Sequence, residues 1–354
     1  MNIPVIPFDQ PAGSFLLAAM PASDVIRISR ADPRKFDTMT MDTSGGIQRD
    51  PSSKRIKEIA EYAHTVDAAF PTPILLALDS GSYTFDGNQL EINGNKIADI
   101  VDGQHRVLGL KNSGKADEFV IPVVFLLDAI EEQKALIFAT INGKQTKVPA
   151  SVIYDLFGVT KTRSPQKTAH ELARALNSTT GSPWYNRLKM LGKKSPGSTE
   201  SLSQGTFIKF LLPHISSDPV TDMDLLKRGK EPPPREKCIF NEYFRKDQDS
   251  TILKVLMNVF QGAKDTWSIE WQNPTISVLT KTTGFSGIMT ALPELVNKGR
   301  SRNDLSGIYF RSVFEAVKAR MTRDSIALTS EHFSSSASGE AAFRDIILEQ
   351  VRQL

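Results

Sequence analysis

Apolar residues recur at two different spacings along the 354-residue chain, and the spacing changes near residue 160. Before that point, short apolar runs alternate with helical ones. Residues 14–20, 73–78, 97–101 and 119–127 are runs of strand length, and Tyr83 to Ile92 followed by Asn93-Gly94 predicts hairpin turns. After Pro51, Ser52 or Ser53 can cap a helix in which Ile56, Ile59, Ala60 and Ala63 share one face, and Pro71 ends that segment. Pro21 to Asp24 offers another helix start, residues 39–49 read as a polar loop, and helices are predicted over 131–141 and 149–157. Beyond residue 160 the strand period largely disappears. Helices are predicted there over 165–176, 201–212, 251–262, 275–296, 303–321 and 339–353, with loops at 192–201 and 227–235. The expected fold is α/β (α+β), with a mixed domain over 1–159 and a mostly helical domain over 160–354.

Composition narrows the class. With 40% hydrophobic and 23% charged residues the chain is an ordinary globular sequence, and no apolar run is long enough to span a bilayer. The first twenty residues lack a basic stretch followed by an apolar one, so a cytoplasmic location and no membrane partner are expected. Cys238 is the one cysteine, which excludes an internal disulfide and a thiolate metal site. His64, His105, His170, His214 and His332 show neither HxxxH nor HExxH spacing, and GxSxG and GxxxxGK[ST] are absent. Thr283 to Gly287, small residues within a helical pattern, mark a close crossing or a break.

The net charge of +3 hides an asymmetry. Residues 1–159 hold 15 Lys and Arg against 20 Asp and Glu; the remainder holds 28 against 20 and is +8. Clustered cations suit a polyanion, which makes DNA the expected partner of the second half. The candidates are Arg187, Lys189, Lys193 and Lys194 beside the aromatic Trp184 and Tyr185, Lys227 and Arg228 in a proline-stiffened loop, and Arg300 and Arg302. The competing reading places the aromatics in the helical core and the charges on a solvated face.

The densest chemistry is Asp102-Gly103-Gln104-His105-Arg106, where a strand hands over to a helix. N–H groups of a helix's first turn point outward, and glycine allows close approach, so the segment can cradle a phosphate. Arg106 and His105 would add donors. Asp102 could hold a divalent metal or orient a water, or it could simply cap the turn with Arg106 paired to a carboxylate.

These five residues spell the motif of the DGQHR-domain family. Gln48-Arg49 with the helix Arg55 to Tyr62, Phe70-Pro71, and Ile141 to Val148 surround it in an order that resembles the ParB/sulfiredoxin-like superfamily over about residues 14–155. The resemblance implies a nucleotide-binding site in which Gly103, Gln104, His105 and Arg106 meet phosphates. Gln48 and Arg49 would contribute to it, and Asn142, Lys144, Gln145 and Thr146 would form its second wall. Sulfiredoxins carry a cysteine where this chain has Gln104, so sulfinic acid reduction is excluded. The implied cofactors are ATP or another nucleoside triphosphate with Mg²⁺. Hydrolysis would use Asp102 on the metal, Gln104 on the attacking water, and His105 and Arg106 on the β and γ phosphates. The family resembles proteins tied to bacterial DNA modification and defence, with DndB-like (phosphorothioation) and DpdB-like (7-deazaguanine) branches; the stretch Ser182 to Leu191 is similar to the broader group. Partner proteins of a DNA-modification system are implied, and homo-oligomerisation stays open. The alternative is a non-enzymatic DNA-binding regulator of the modification genes.

Overall fold

The structure is a computed structural model that describes residues 1–30, 35–37, 42–44, 51–143, 149–194 and 197–353. It divides into two compact units, Met1–Thr146 and Lys147–Leu354.

The first unit contains β1 (Asn2–Pro4), β2 (Ile6–Gln10), β3 (Gly13–Pro21), α1 (Ala22–Ile28), β4 (Ser29–Arg30), the short pair β5 (Lys35–Asp37) and β6 (Asp42–Ser44), and α2 (Ser53–Tyr62). It continues with β7 (Ile74–Leu78), β8 (Tyr83–Asp86), β9 (Gln89–Ile92), β10 (Ala98–Asp102), α3 (Gln104–Ser113), β11 (Val120–Leu126) and α4 (Glu131–Gly143). Six strands form a mixed sheet in the order β2-β3-β11-β7-β10-β4, and β1-β9-β8 form a smaller antiparallel sheet.

Strand β7 is buried along its whole length because both faces of the main sheet are covered. On one face Leu76 and Leu78 join Leu16, Ile100, Val123 and Phe125 under α1 and α3. On the other, Leu75 and Ala77 join Phe15, Val101 and Leu126 beneath Ile137, Phe138 and Ile141 of α4. Near its end β10 carries a bulge: Ile100 pairs with Leu76, but Asp102 pairs with Leu75, leaving Val101 extra. A bulge shifts strand alternation by one residue. It brings Asp102 to the face that α4 covers.

The second unit is helical: α5 (Ala150–Leu156), α6 (Pro165–Ser178), α7 (Gln204–Ile215), α8 (Pro219–Lys227), α9 (Asn241–Arg245), α10 (Asp249–Thr266), α11 (Ser268–Gln272), α12 (Thr282–Ser301), α13 (Gly307–Arg323) and α14 (Ala337–Gln353). A two-stranded contact of β12 (Leu188–Lys189) with β13 (Leu202–Ser203) precedes α7. Its core is built around Trp184, whose ring centroid lies 5.2–6.0 Å from those of Phe207, Phe260, Trp271 and Phe285. The close crossing expected at Thr283 to Gly287 is present, since a Cβ on Gly284 would lie 2.5 Å from Leu279 Cα and one on Gly287 2.6 Å from Phe343 Cδ1. Helix α5 packs within this second unit, where the Gly205 N–H donates to Ser151 Oγ at 2.9 Å. The first unit therefore ends before residue 159. No described helix is long and apolar enough to cross a membrane.

Candidate functional site

A cavity of about 770 Å³ lies on the α4 side of the sheet, and the Asp102 to Arg106 turn forms one end of it. Its floor is apolar, with Phe15, Leu75, Val101 and Val124 from four strands, and Leu136, Ile137, Phe138 and Ile141 of α4 form a wall. Most of the polar lining gathers at the turn, with Thr72, the exposed Arg55 of α2, Gln104 and His105, while Gln10 and Thr140 line it elsewhere.

Gly103 makes the turn possible. It sits at φ +99°, and a Cβ there would come within 2.5 Å of Ile74 Cδ1 and 3.0 Å of Arg106 Nη2. Only glycine adopts that conformation without strain. Its carbonyl accepts from the N–H groups of Arg106 and Val107, starting α3, so the helix N-terminus opens at the cavity.

The structure brings Asp102, Gly103, Gln104, His105 and Arg106 together at the cavity, but it engages Asp102, His105 and Arg106 with the protein itself. Arg106 Nη2 donates to Asp102 Oδ2 at 2.8 Å. Its Nη1 donates to Thr72 O (2.5 Å), Thr72 Oγ1 (2.8 Å) and Pro73 O (3.1 Å). Arg106 thus clamps the loop before β7 to the start of α3. Burial lowers its pKa, while the Asp102 charge and hydrogen bond act to raise it. His105 Nε2 accepts from the Ser52 N–H at 2.9 Å, and Ser52 Oγ in turn accepts from the Arg55 N–H, so His105 ties α3 to the capped start of α2. Gln104 is buried.

Among the described residues Asp102 is the one carboxylate in the cavity lining, and it faces a guanidinium. No group of three or more His, Cys, Asp or Glu side chains able to hold a metal gathers among the described residues. The described donor set does not fit a Mg²⁺ ion held by protein ligands.

Of the other expected nucleotide contacts, Asn142 lies in the last turn of α4, whose wall lines the cavity, but its side chain is outside the described set. Gln48, Arg49, Lys144, Gln145 and Thr146 also lie outside the described residues. Arg55, Thr72, Phe8 and Phe15 were not anticipated. Phe8 and Phe15 pair across β2 and β3 and stack with centroids 5.4 Å apart and 16° between planes.

In the second unit the expected aromatic platform is corrected: Trp184 is fully buried among rings, and only Tyr185 is exposed. Arg187 Nη1 donates to Trp271 O at 2.9 Å and burial lowers its pKa; Arg300 Nη2 donates to Ile239 O at 2.9 Å. Both guanidinium groups brace the fold. Arg228 Nε donates to Asp224 Oδ2 at 2.7 Å, and Lys189 and Lys227 are half-buried. Lys193, Lys194, Arg228 and Arg302 are exposed.

No curated protein and no solved structure matches the chain. Residues 3–176, just under half of it and including the whole cavity lining, match the DndB family, described as DNA-sulfur modification-associated, so the part of the chain that carries the site is DndB-like.

Proposed function

We propose that this chain is a nucleotide-responsive, DNA-associated component of a DNA phosphorothioation system. The observation that carries the nucleotide reading is the cavity itself: an apolar, aromatic-bearing floor with the Gly103 turn, a helix N-terminus and Arg55 at one end. Apolar cavities with a few convergent polar groups are the usual form of small-molecule sites, and a helix start favours an anion there. The family match favours sulfur modification over 7-deazaguanine insertion.

Binding fits the geometry better than turnover. Asp102 is paired with Arg106, so any Mg²⁺ reaching the cavity arrives on the phosphates of its ligand, and among the described residues no second carboxylate lines the cavity to activate water. That favours the regulatory class over an ATPase. DNA contact falls to the basic second unit through Lys193, Lys194 and Arg302, a backbone interaction without base readout.

Thermal melts of the full chain with ATP, CTP and GTP test the nucleotide reading, because a ligand bound only by the folded state raises the midpoint. A rise with at least one nucleotide, diminished in Arg55→Glu, is expected. An unchanged midpoint with all three overturns it. ATP turnover well above that of Asp102→Ala would restore the enzyme reading.

A further inference from the structure

We infer that the Phe8–Phe15 pair is the base platform of the cavity, and that its distance from the Gly103 turn selects a nucleoside polyphosphate over a nucleoside monophosphate. This rests on the nucleotide reading and adds which end of the ligand goes where, and how long it must be.

Strand register supplies the ruler. Phe8 pairs with Phe15, Phe15 with Leu126, and Leu126 with Ala77, while Asp102 pairs with Leu75, two residues before Ala77 on β7. Phe15 on β3 is therefore three strands away from Asp102 on β10, and Phe8 on β2 is four. At ~4.8 Å per strand the two ends lie roughly 14 to 19 Å apart across the sheet. Both rings and the turn line the same cavity.

The ends differ in chemistry. At the turn are Arg55, Thr72 and the start of α3, which favour an anion. At the far end are two aromatic rings, with Gln10 beside them as a polar side chain able to meet a base edge. Stacking on an aromatic face is tolerant of base identity. A monophosphate has one sugar between base and phosphate and cannot reach both ends. A chain of two or three phosphates extends the anion toward the turn while the base stays on Phe8.

Isothermal titration of the full chain with ATP, ADP, AMP and inorganic triphosphate tests this. ATP should bind at least tenfold tighter than AMP. Phe8→Leu, which keeps apolar bulk without the ring, should weaken ATP about tenfold and leave inorganic triphosphate unchanged, and Phe8→Trp should retain ATP binding. Equal affinity for AMP and ATP, or an unchanged ATP affinity in Phe8→Leu with an unchanged melt, overturns the platform while leaving nucleotide binding intact. Failure of every nucleotide to bind overturns the underlying reading as well. Tight binding of a short single-stranded oligonucleotide with no binding of ATP reassigns the rings to DNA and likewise overturns the proposal.

Discussion

A single methyl group at Gly103 would meet Ile74 Cδ1 at 2.5 Å in a backbone conformation that already disfavours side chains. Gly103→Ala is expected to cost about 2–3 kcal/mol in urea unfolding, combining strain with overpacking. Arg106→Lys keeps the charge but cannot reach the Thr72 and Pro73 carbonyls and Asp102 together. A loss of about 1 kcal/mol is expected from the broken hydrogen bonds, since Thr72 and Pro73 are exposed and Asp102 is half-buried, and an unaltered denaturation midpoint would show that the clamp is idle. His214 is a separate case. Half-buried and donating to Met289 O, it has a pKa lowered to about 4 by desolvation. An unfolded imidazole protonates near ~6.5, so below that pH the unfolded chain takes up a proton that the native chain refuses. The stability tied to neutral His214 is fully present above pH ~6.5 and declines as pH falls toward 4, by about 3 kcal/mol at most. His214→Gln should flatten that slope in melts from pH 7 to 4.5. The motif residues were visible in the sequence because five chemical types stand together at a strand-to-helix change. Phe8, Phe15, Arg55 and Thr72 were not, since only the sheet and the α2 crossing bring them to the motif, and Pro7 and Asp9 disguise β2 as loop.

At the level of elements, the α2–α3 crossing places Arg55 over the turn. Gly109 permits it: a Cβ there would lie 2.4 Å from Ile59 Cγ2. Gly109→Ala is expected to cost about 2 kcal/mol despite the better helix propensity of alanine. In a double-mutant cycle, Ile59→Ala should remove part of that penalty, and strict additivity would show that the two residues do not meet. The face predicted for α2, Ile56, Ile59, Ala60 and Ala63, came from periodicity alone, whereas the close approach of its partner left no periodic trace. Helices α6, α10 and α14 also followed from spacing, because each has a regular apolar face against the core. The start of α12 did not: residues 275–281 are apolar enough to extend the pattern, yet they are turns whose Val278 and Leu279 fill the core. Helix α8 escaped notice because the prolines after residue 231 dominate that region.

Taken whole, the molecule keeps the charge division read from the sequence, since moving the boundary to Thr146 transfers one lysine and one aspartate together. What changed is the use of the charges. Arginines such as Arg163, Arg187, Arg235 and Arg300 hold carboxylates or carbonyls of the fold, which leaves the proposed DNA contact mainly to lysines. The Lys193→Glu, Lys194→Glu double variant should weaken DNA binding equally across sequences and reduce the slope of log affinity against log salt; sequence-selective loss would contradict a backbone interaction. The first unit closes both of its apolar clusters within residues 1–146. A fragment of those residues should therefore melt cooperatively, whereas one extended to 159 carries α5 without α7 and should aggregate more readily in light scattering. The bulge at Val101 has a consequence for how this site can vary. It sets the parity of β10, so the turn's position depends on counting residues along the strand as well as on their chemistry. Deleting Val101 alone would regularise the ladder and leave Asp102 opposite Leu75 on the cavity face, whereas deleting a second residue of β10 would set it opposite Leu76, on the other face of the sheet, and separate it from the cavity with its chemistry intact.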